Sequence, residues 1–124
     1  MSSDKPSHRG SPYAQELISH LQPHCATHKT DPGEQLDLQV DGQSMCYLIL
    51  DGTVAIYRRS DDMMLSTARS PALFGLANLT DIYFNDYLRT VTPCLIGVLT
   101  TDRVAEIIKE KALWGLLSNH LMFV

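Results

Sequence analysis

ALFGLANL, residues 72–79, sits in a chain that otherwise reads as short β-strands and tight turns. A Phe-Gly pair followed by small and apolar residues marks a sharp corner between a strand and a helix, because glycine takes the backbone angles that close such a turn. Backbone groups at that corner would face any ligand held there. No residue of the stretch carries a charge. The corner is therefore either a working ligand cradle or the same architecture with its chemistry removed.

Working outward, CYLILDGTVAIYRR (46–59) gives two apolar, β-branched or aromatic runs joined through Asp51-Gly52, which predicts a tight hairpin. Asp41-Gly42 and Ser60-Asp61-Asp62 predict further turns, with Arg58-Arg59 as a hairpin flank and MMLSTAR (63–69) as the next strand. Beyond the corner, DYLRTVT (86–92) and CLIGVLT (94–100) are strands kept apart by Pro93. Many short strands closed by turns between about residues 26 and 100 predict an antiparallel sandwich or barrel.

Helical signals flank the strands. SPYAQELISHLQ offers Ser11 as N-cap, Pro12 at the first helical position and Leu17, Ile18 and Leu21 on one face, with Pro23 ending the helix. Residues 1–11 are rich in Ser, Pro and Gly and are expected to form a disordered tail ahead of one domain over 12–124. From Thr101 or Asp102, either of which can cap a helix, Val104, Ile107, Ile108, Trp114, Leu117 and Leu121 recur at helical and heptad spacings. About twenty residues of helix would extend about 30 Å. No glycine, proline or basic cluster stops the pattern, so this end is expected to continue in a longer protein or to be buried in a dimer. Trp114, seven residues from both Ile107 and Leu121, suits either a core or a dimer seam, and a helix this long favours the seam.

At 124 residues, 44% hydrophobic and 19% charged, the chain has the composition of a single globular domain. A net charge of −4 argues against nucleic-acid binding by this segment. The polar N-terminus shows no signal peptide, and ALWGLLSNHLMFV (112–124) is too short and too interrupted to span a bilayer. Cys25, Cys46 and Cys94 form no CxxC pair and leave an odd one over, which suggests reduced thiols in the cytoplasm.

The order of elements resembles the effector domain of the CRP/FNR family of bacterial transcription regulators, which is related to cyclic-nucleotide-binding domains. Tyr47 to Tyr57 is similar to that family's "Y-x-I-x-x-G-x-v" pattern, FGLANL (74–79) to its phosphate-binding cassette, and TVTPCLIGVLTTDRVAEII (90–108) to its last two strands and dimer helix. The FGLA form and the CLIG strand look most like the enterobacterial YaiV/IprA-like subgroup. The resemblance implies a mainly β fold, an antiparallel β-roll (jelly roll) with an N-terminal helix and a long C-terminal helix. It implies a homodimer through Val104, Ile107, Trp114, Leu117 and Leu121, with DNA bound only by a winged-helix domain that these residues do not include. A signal at the roll would alter how the helix packs on its twin.

Residue by residue, the implied pocket is Phe74, Gly75, Leu76, Ala77, Asn78 and Leu79, with Arg89 the nearest basic residue. Nucleotide-binding members read Phe-Gly-Glu at the corner, the Glu accepting from the ribose; Leu76 stands there. Their phosphate-pairing Arg falls within residues 84–86, where this sequence has Phe84, Asn85 and Asp86. Losing one charge-assisted hydrogen bond costs about 1.5–3 kcal/mol. The expectation is a degenerate pocket that does not bind cyclic nucleotides in the usual way and takes an apolar or neutral effector, if any. The alternative is a true receptor in which Arg89 and backbone amides hold the phosphate.

His20, His24 and His28 share a spacing of four, with Cys25 between them, but Pro23 breaks the helix that would align them for a metal. No His lies between residues 29 and 119, which disfavours a cupin-type metalloenzyme. Three cysteines fall short of the usual four ligands of an iron–sulfur cluster. Nucleophile-elbow, P-loop and zincin motifs are absent. The sequence predicts no enzyme, no resident metal or cofactor, and no membrane association.

Overall fold

The run CYLIL is apolar without alternation because the strand that contains it is covered on both faces. In the computed structural model, which describes residues 12–76 and 86–122, this strand is β4 (Gln43–Asp51). Cys46 and Leu48 face a helix-covered layer, while Tyr47 and Ile49 face a second sheet. β4 pairs with β9 (Cys94–Thr100), and β9 pairs with β1 (Ala26–Thr30). The short strands β3 (Gln39–Val40) and β7 (Ala72–Phe74) also pair with β4. The second sheet runs β2 (Gln35–Asp37), β8 (Asp86–Thr90), β5 (Thr53–Arg58) and β6 (Met63–Arg69). All these pairings are antiparallel.

Two turns differ instructively. Asp41 and Gly42 both take positive φ, 51° and 80°, and join β3 to β4 in a two-residue hairpin as expected. Asp51-Gly52 does not close a hairpin. β4 and β5 belong to different sheets, and Gly52, with φ 109°, carries the chain across the corner. A Cβ there would stand 2.6 Å from Cys94 Sγ and 2.8 Å from the Pro93 carbonyl oxygen, so the crossing is tight enough to exclude a side chain.

The core has two layers. Leu36, Tyr47, Ile49, Val54, Leu88 and Ile96 fill the space between the sheets. On the far face of the five-stranded sheet, Leu48, Leu73 and Leu99 meet Leu17, Ile18 and Leu21 of α1 (Ala14–Leu21) and Val104, Ile107 and Ile108 of α2 (Thr101–Glu110).

The helix ends depart from the sequence reading. α1 begins after Tyr13, which supplies no side-chain cap; Pro12 precedes the helix, and Ser11 and the tail over residues 1–11 lie outside the described residues. Leu21 closes α1, and Pro23 sits in a single 3-10 turn over Gln22–His24. Thr100, not Thr101 or Asp102, caps α2, its side chain accepting from the Arg103 amide at 3.1 Å. Thr101 instead turns inward against Cys46.

The C-terminal helix is two helices. α2 stops at Glu110, and α3 (Trp114–Met122) starts after Ala112 takes φ 54°. The Leu113 amide donates to the Ile108 carbonyl at 2.9 Å and the Lys111 amide to that of Ile107 at 3.0 Å, satisfying the end of α2. A left-handed alanine costs about 1–2 kcal/mol. Burying a leucine gives about 1.5–3 kcal/mol, and the turn buries both Leu113 and Leu117. The break is favoured although no residue in KAL announces it.

Candidate functional site

β7 ends at Phe74, opposite Tyr47 of β4, and the chain turns at Gly75. Gly75 has φ 99°, and a Cβ on it would fall on the carbonyl oxygen of Met45 and 3.0 Å from the Cys46 Cα. Only glycine fits so close to β4. The turn divides its flanking side chains between the two cores. Phe74 packs against the inter-sheet layer, and Leu76, 3% exposed, enters the layer under the helices. Ala77, Asn78 and Leu79 lie outside the described residues, as do Phe84 and Asn85.

The described corner therefore presents backbone and apolar surface, with no charged or hydrogen-bonding side chain from Phe74, Gly75 or Leu76. Leu76 is a packing residue of the helix-side core. A carboxylate at this depth would need a partner that the surrounding leucines cannot supply.

Arg89 lies elsewhere. It is on β8, paired with Gln35 and Ala55, and its guanidinium donates to the Gly33 carbonyl at 2.9 Å and to Gln35 Oε1 at 3.0 Å. Its carbon Cζ lies 5.8 Å from the Tyr87 ring centroid and 6.0 Å from that of Tyr57. Leu88, its neighbour, points the other way, into the core. Arg89 thus belongs to the outer face of the four-stranded sheet and is not gathered with the described corner residues Phe74, Gly75 and Leu76.

That outer face holds a group the sequence reading missed. Tyr57 and Tyr87 stack with centroids 5.4 Å apart and planes 11° from parallel. Arg59 covers Tyr87 at 5.0 Å and pairs with Asp37 at 2.8 Å, while the Tyr87 hydroxyl donates to Asp62 at 2.8 Å. A hydrogen bond from Gln35, then the one from Arg59, holds the Asp37 carboxyl below its usual range. The available signal was positional and partial, since Tyr87 and Arg89 are two apart on β8 and share a face, whereas Arg59 lies in the turn just beyond β5. Every cation of this group already has a partner, so it reads as a clamp across β2, β8 and β5.

The helix residues also separate. Val104 and Ile107 are fully buried and Leu117 nearly so, all within this chain's core. Trp114 is 53% exposed and Leu121 37% exposed, and Met122, next to Leu121, is exposed as well.

The cysteines are free thiols. Burial pushes Cys46 up to about 11, and the opposing hydrogen-bond contact with Thr101 spans 3.6 Å. Cys94 is buried and directs its thiol at the carbonyl oxygens of Thr53 and Thr92, 3.4 and 3.3 Å away. Burial, the largest influence, also raises Cys25. A thiol held neutral is a poor nucleophile. His20, His24 and His28 fall on α1, the 3-10 turn and β1 respectively, and His24 Nδ1 meets Arg103 at 3.3 Å. Among the described residues no three His, Cys, Asp or Glu side chains gather as metal ligands, and no helix is long and apolar enough to cross a membrane.

No family model matches the chain, and no curated protein matches it. Solved structures do. The global regulator CLP of Xanthomonas campestris, described as c-di-GMP responsive, superposes with a TM-score of 0.68 at 17% identity, over 86% of this chain and 57% of CLP. The N-terminal domain of a transcriptional regulator from Streptomyces coelicolor A3(2) gives 0.62 at 19% identity, over 95% of this chain and 88% of that domain. A regulatory protein from Silicibacter pomeroyi DSS-3 gives 0.64 at 20% identity, over 85% of this chain and 51% of its own. The chain thus spans about half the length of two of these three proteins. What these structures share with this chain is the fold, a mainly antiparallel β-roll flanked by N-terminal and C-terminal helices.

Proposed function

We propose that the chain is the sensory and dimerisation domain of a bacterial CRP-like transcription regulator, nearest the YaiV/IprA-like subgroup, with a cradle that no longer reads cyclic nucleotides in the usual way. The burial of Leu76 beside Gly75 carries this reading. A ribose hydroxyl brought to the corner would meet leucine, and a cyclic phosphate would find Arg89 held by Gly33 and Gln35 on the other sheet. Any effector is apolar or neutral, and the protein acts without catalysis, in the cytoplasm. DNA contact belongs to a winged-helix domain outside these residues, a division that suits their charge of −4. Homodimerisation uses the exposed face of α3 around Trp114 and Leu121, and the bend at Ala112 sets the direction of that face.

Thermal unfolding with and without about 1 mM cyclic AMP or cyclic GMP tests the reading. A nucleotide bound with a dissociation constant of about 10 μM would stabilise the fold by roughly 2.7 kcal/mol at that concentration. No shift is expected. A rise of several degrees that Arg89→Ala removes would establish the receptor alternative.

A further inference from the structure

β6 closes the four-stranded sheet on one side, pairing with β5 and, among the described residues, with nothing beyond it. Its first three residues are consecutive large apolar side chains exposed to solvent, Met63 at 53%, Met64 at 49% and Leu65 at 38%. Folded proteins commonly guard such an edge with charge, proline or brevity. The other edges follow that rule, since β1 carries Lys29, β2 carries Asp37, and β3 and β7 have only two and three residues. From Met63 to Ala68, β6 has neither charge nor proline. Its ladder with β5 skips Leu65, which bends the edge without charging it.

Charge stands only at the two ends, and with opposite sign. Before the strand, Asp61 is paired with Arg58 at 2.9 Å, while Asp62 accepts from the Tyr87 hydroxyl and, like Arg69 at the far end, has no ion pair among the described residues. We propose that β6 is an interface for a second copy of this chain, the two edges pairing antiparallel. Running the strands in opposite directions sets Asp62 of each copy against Arg69 of the other, at both ends of one two-fold contact. Parallel pairing would set like charges together. The pairing covers Met63, Met64 and Leu65, satisfies the outward backbone groups of the edge, and joins two four-stranded sheets into one of eight.

This contact is separate from the α3 face, so the test removes that face first. In a Trp114→Glu, Leu121→Lys background, sedimentation should still show a concentration-dependent dimer. The backbone amides of residues 63–68 should exchange more slowly as protein concentration rises. Adding Met64→Lys, at an exposed edge position, should weaken the dimer at least about tenfold, because like charges then face apolar and cationic neighbours across the strands. Arg69→Asp should weaken it as well, and salt should weaken the unmodified contact. Unfolding midpoints of the monomers should stay unchanged. A background variant that is monomeric at all concentrations, or a dimer indifferent to both added substitutions with amide exchange independent of concentration, would overturn the proposal.

Discussion

Gly75 lies against the carbonyl oxygen of Met45 so closely that no Cβ can be placed between them. This contact fixes where β7 leaves the sheet, and so which residue follows into the helix-side core. Gly75→Ala should destabilise the domain by about 3–5 kcal/mol, combining a left-handed backbone with overpacking against β4. Urea unfolding reads this directly. A change below 1 kcal/mol would mean that the corner relaxes freely and does not set the position of Leu76.

Leu76→Glu, which supplies the acidic side chain that the proposed reading finds missing at the corner, should not create nucleotide binding. The carboxylate would enter a layer formed by Leu17, Leu73 and Leu99. A loss of about 2–5 kcal/mol is expected, with no response to cyclic nucleotide. A stable variant that gains nucleotide binding would show that the pocket lacks only this one group.

Ala112 gives a test by sign. Glycine in a continuous helix costs about 1 kcal/mol relative to alanine. At φ 54° the left-handed penalty falls on alanine instead, so Ala112→Gly should be neutral or stabilising by up to about 1 kcal/mol. Chemical denaturation separates the two. Clear destabilisation would mean that α2 and α3 form one helix in solution.

Much of this architecture was legible because it rests on local patterns. The unbroken apolar run in β4, the Asp41-Gly42 turn and the amphipathic faces of α1 and α2 each follow from residues close in sequence. The sequence misled where a distant contact decided. Asp51-Gly52 has hairpin composition, yet the approach of Cys94 and Pro93 makes it a crossing between sheets. KAL has helix-forming composition, yet the burial of Leu113 and Leu117 turns it. At the site, the Phe-Gly corner was found, and the depth of Leu76 was not, because position in a motif does not reveal which core a side chain enters. The placement of Arg89 depended on strand register across β2, β8 and β5, which a single sequence leaves open.

Cys46 predicts a pH dependence. Its thiol rises from a reference of 9.0 to about 11 on burial. Between these values the unfolded chain holds fewer protons at this group than the folded one, so stability falls as pH rises from 9 to 11 and is unaffected by this thiol below 9. The full effect is about 2–3 kcal/mol. Comparing unfolding curves of the protein and Cys46→Ala across that range isolates the contribution. Identical slopes would place Cys46 in a wetter site than the one next to Thr101.

Trp114 and Leu117 make the last prediction, since they sit three residues apart on α3 and serve different ends. Leu117 packs against the helix-side layer, so Leu117→Glu should unfold or strongly destabilise the domain, by about 3 kcal/mol or more. Trp114 is more than half exposed, and Trp114→Glu should leave the unfolding midpoint within about 2 °C, since exposed substitutions change stability by no more than about 0.5 kcal/mol. If α3 is the dimer face, the same substitution should abolish the self-association that α3 supports, as measured by light scattering against concentration. Because an exposed tryptophan is a large apolar anchor, its loss at the centre of an interface is worth about 2 kcal/mol or more, a shift in dissociation constant of at least about thirtyfold. Unchanged association would free α3 of any role in pairing.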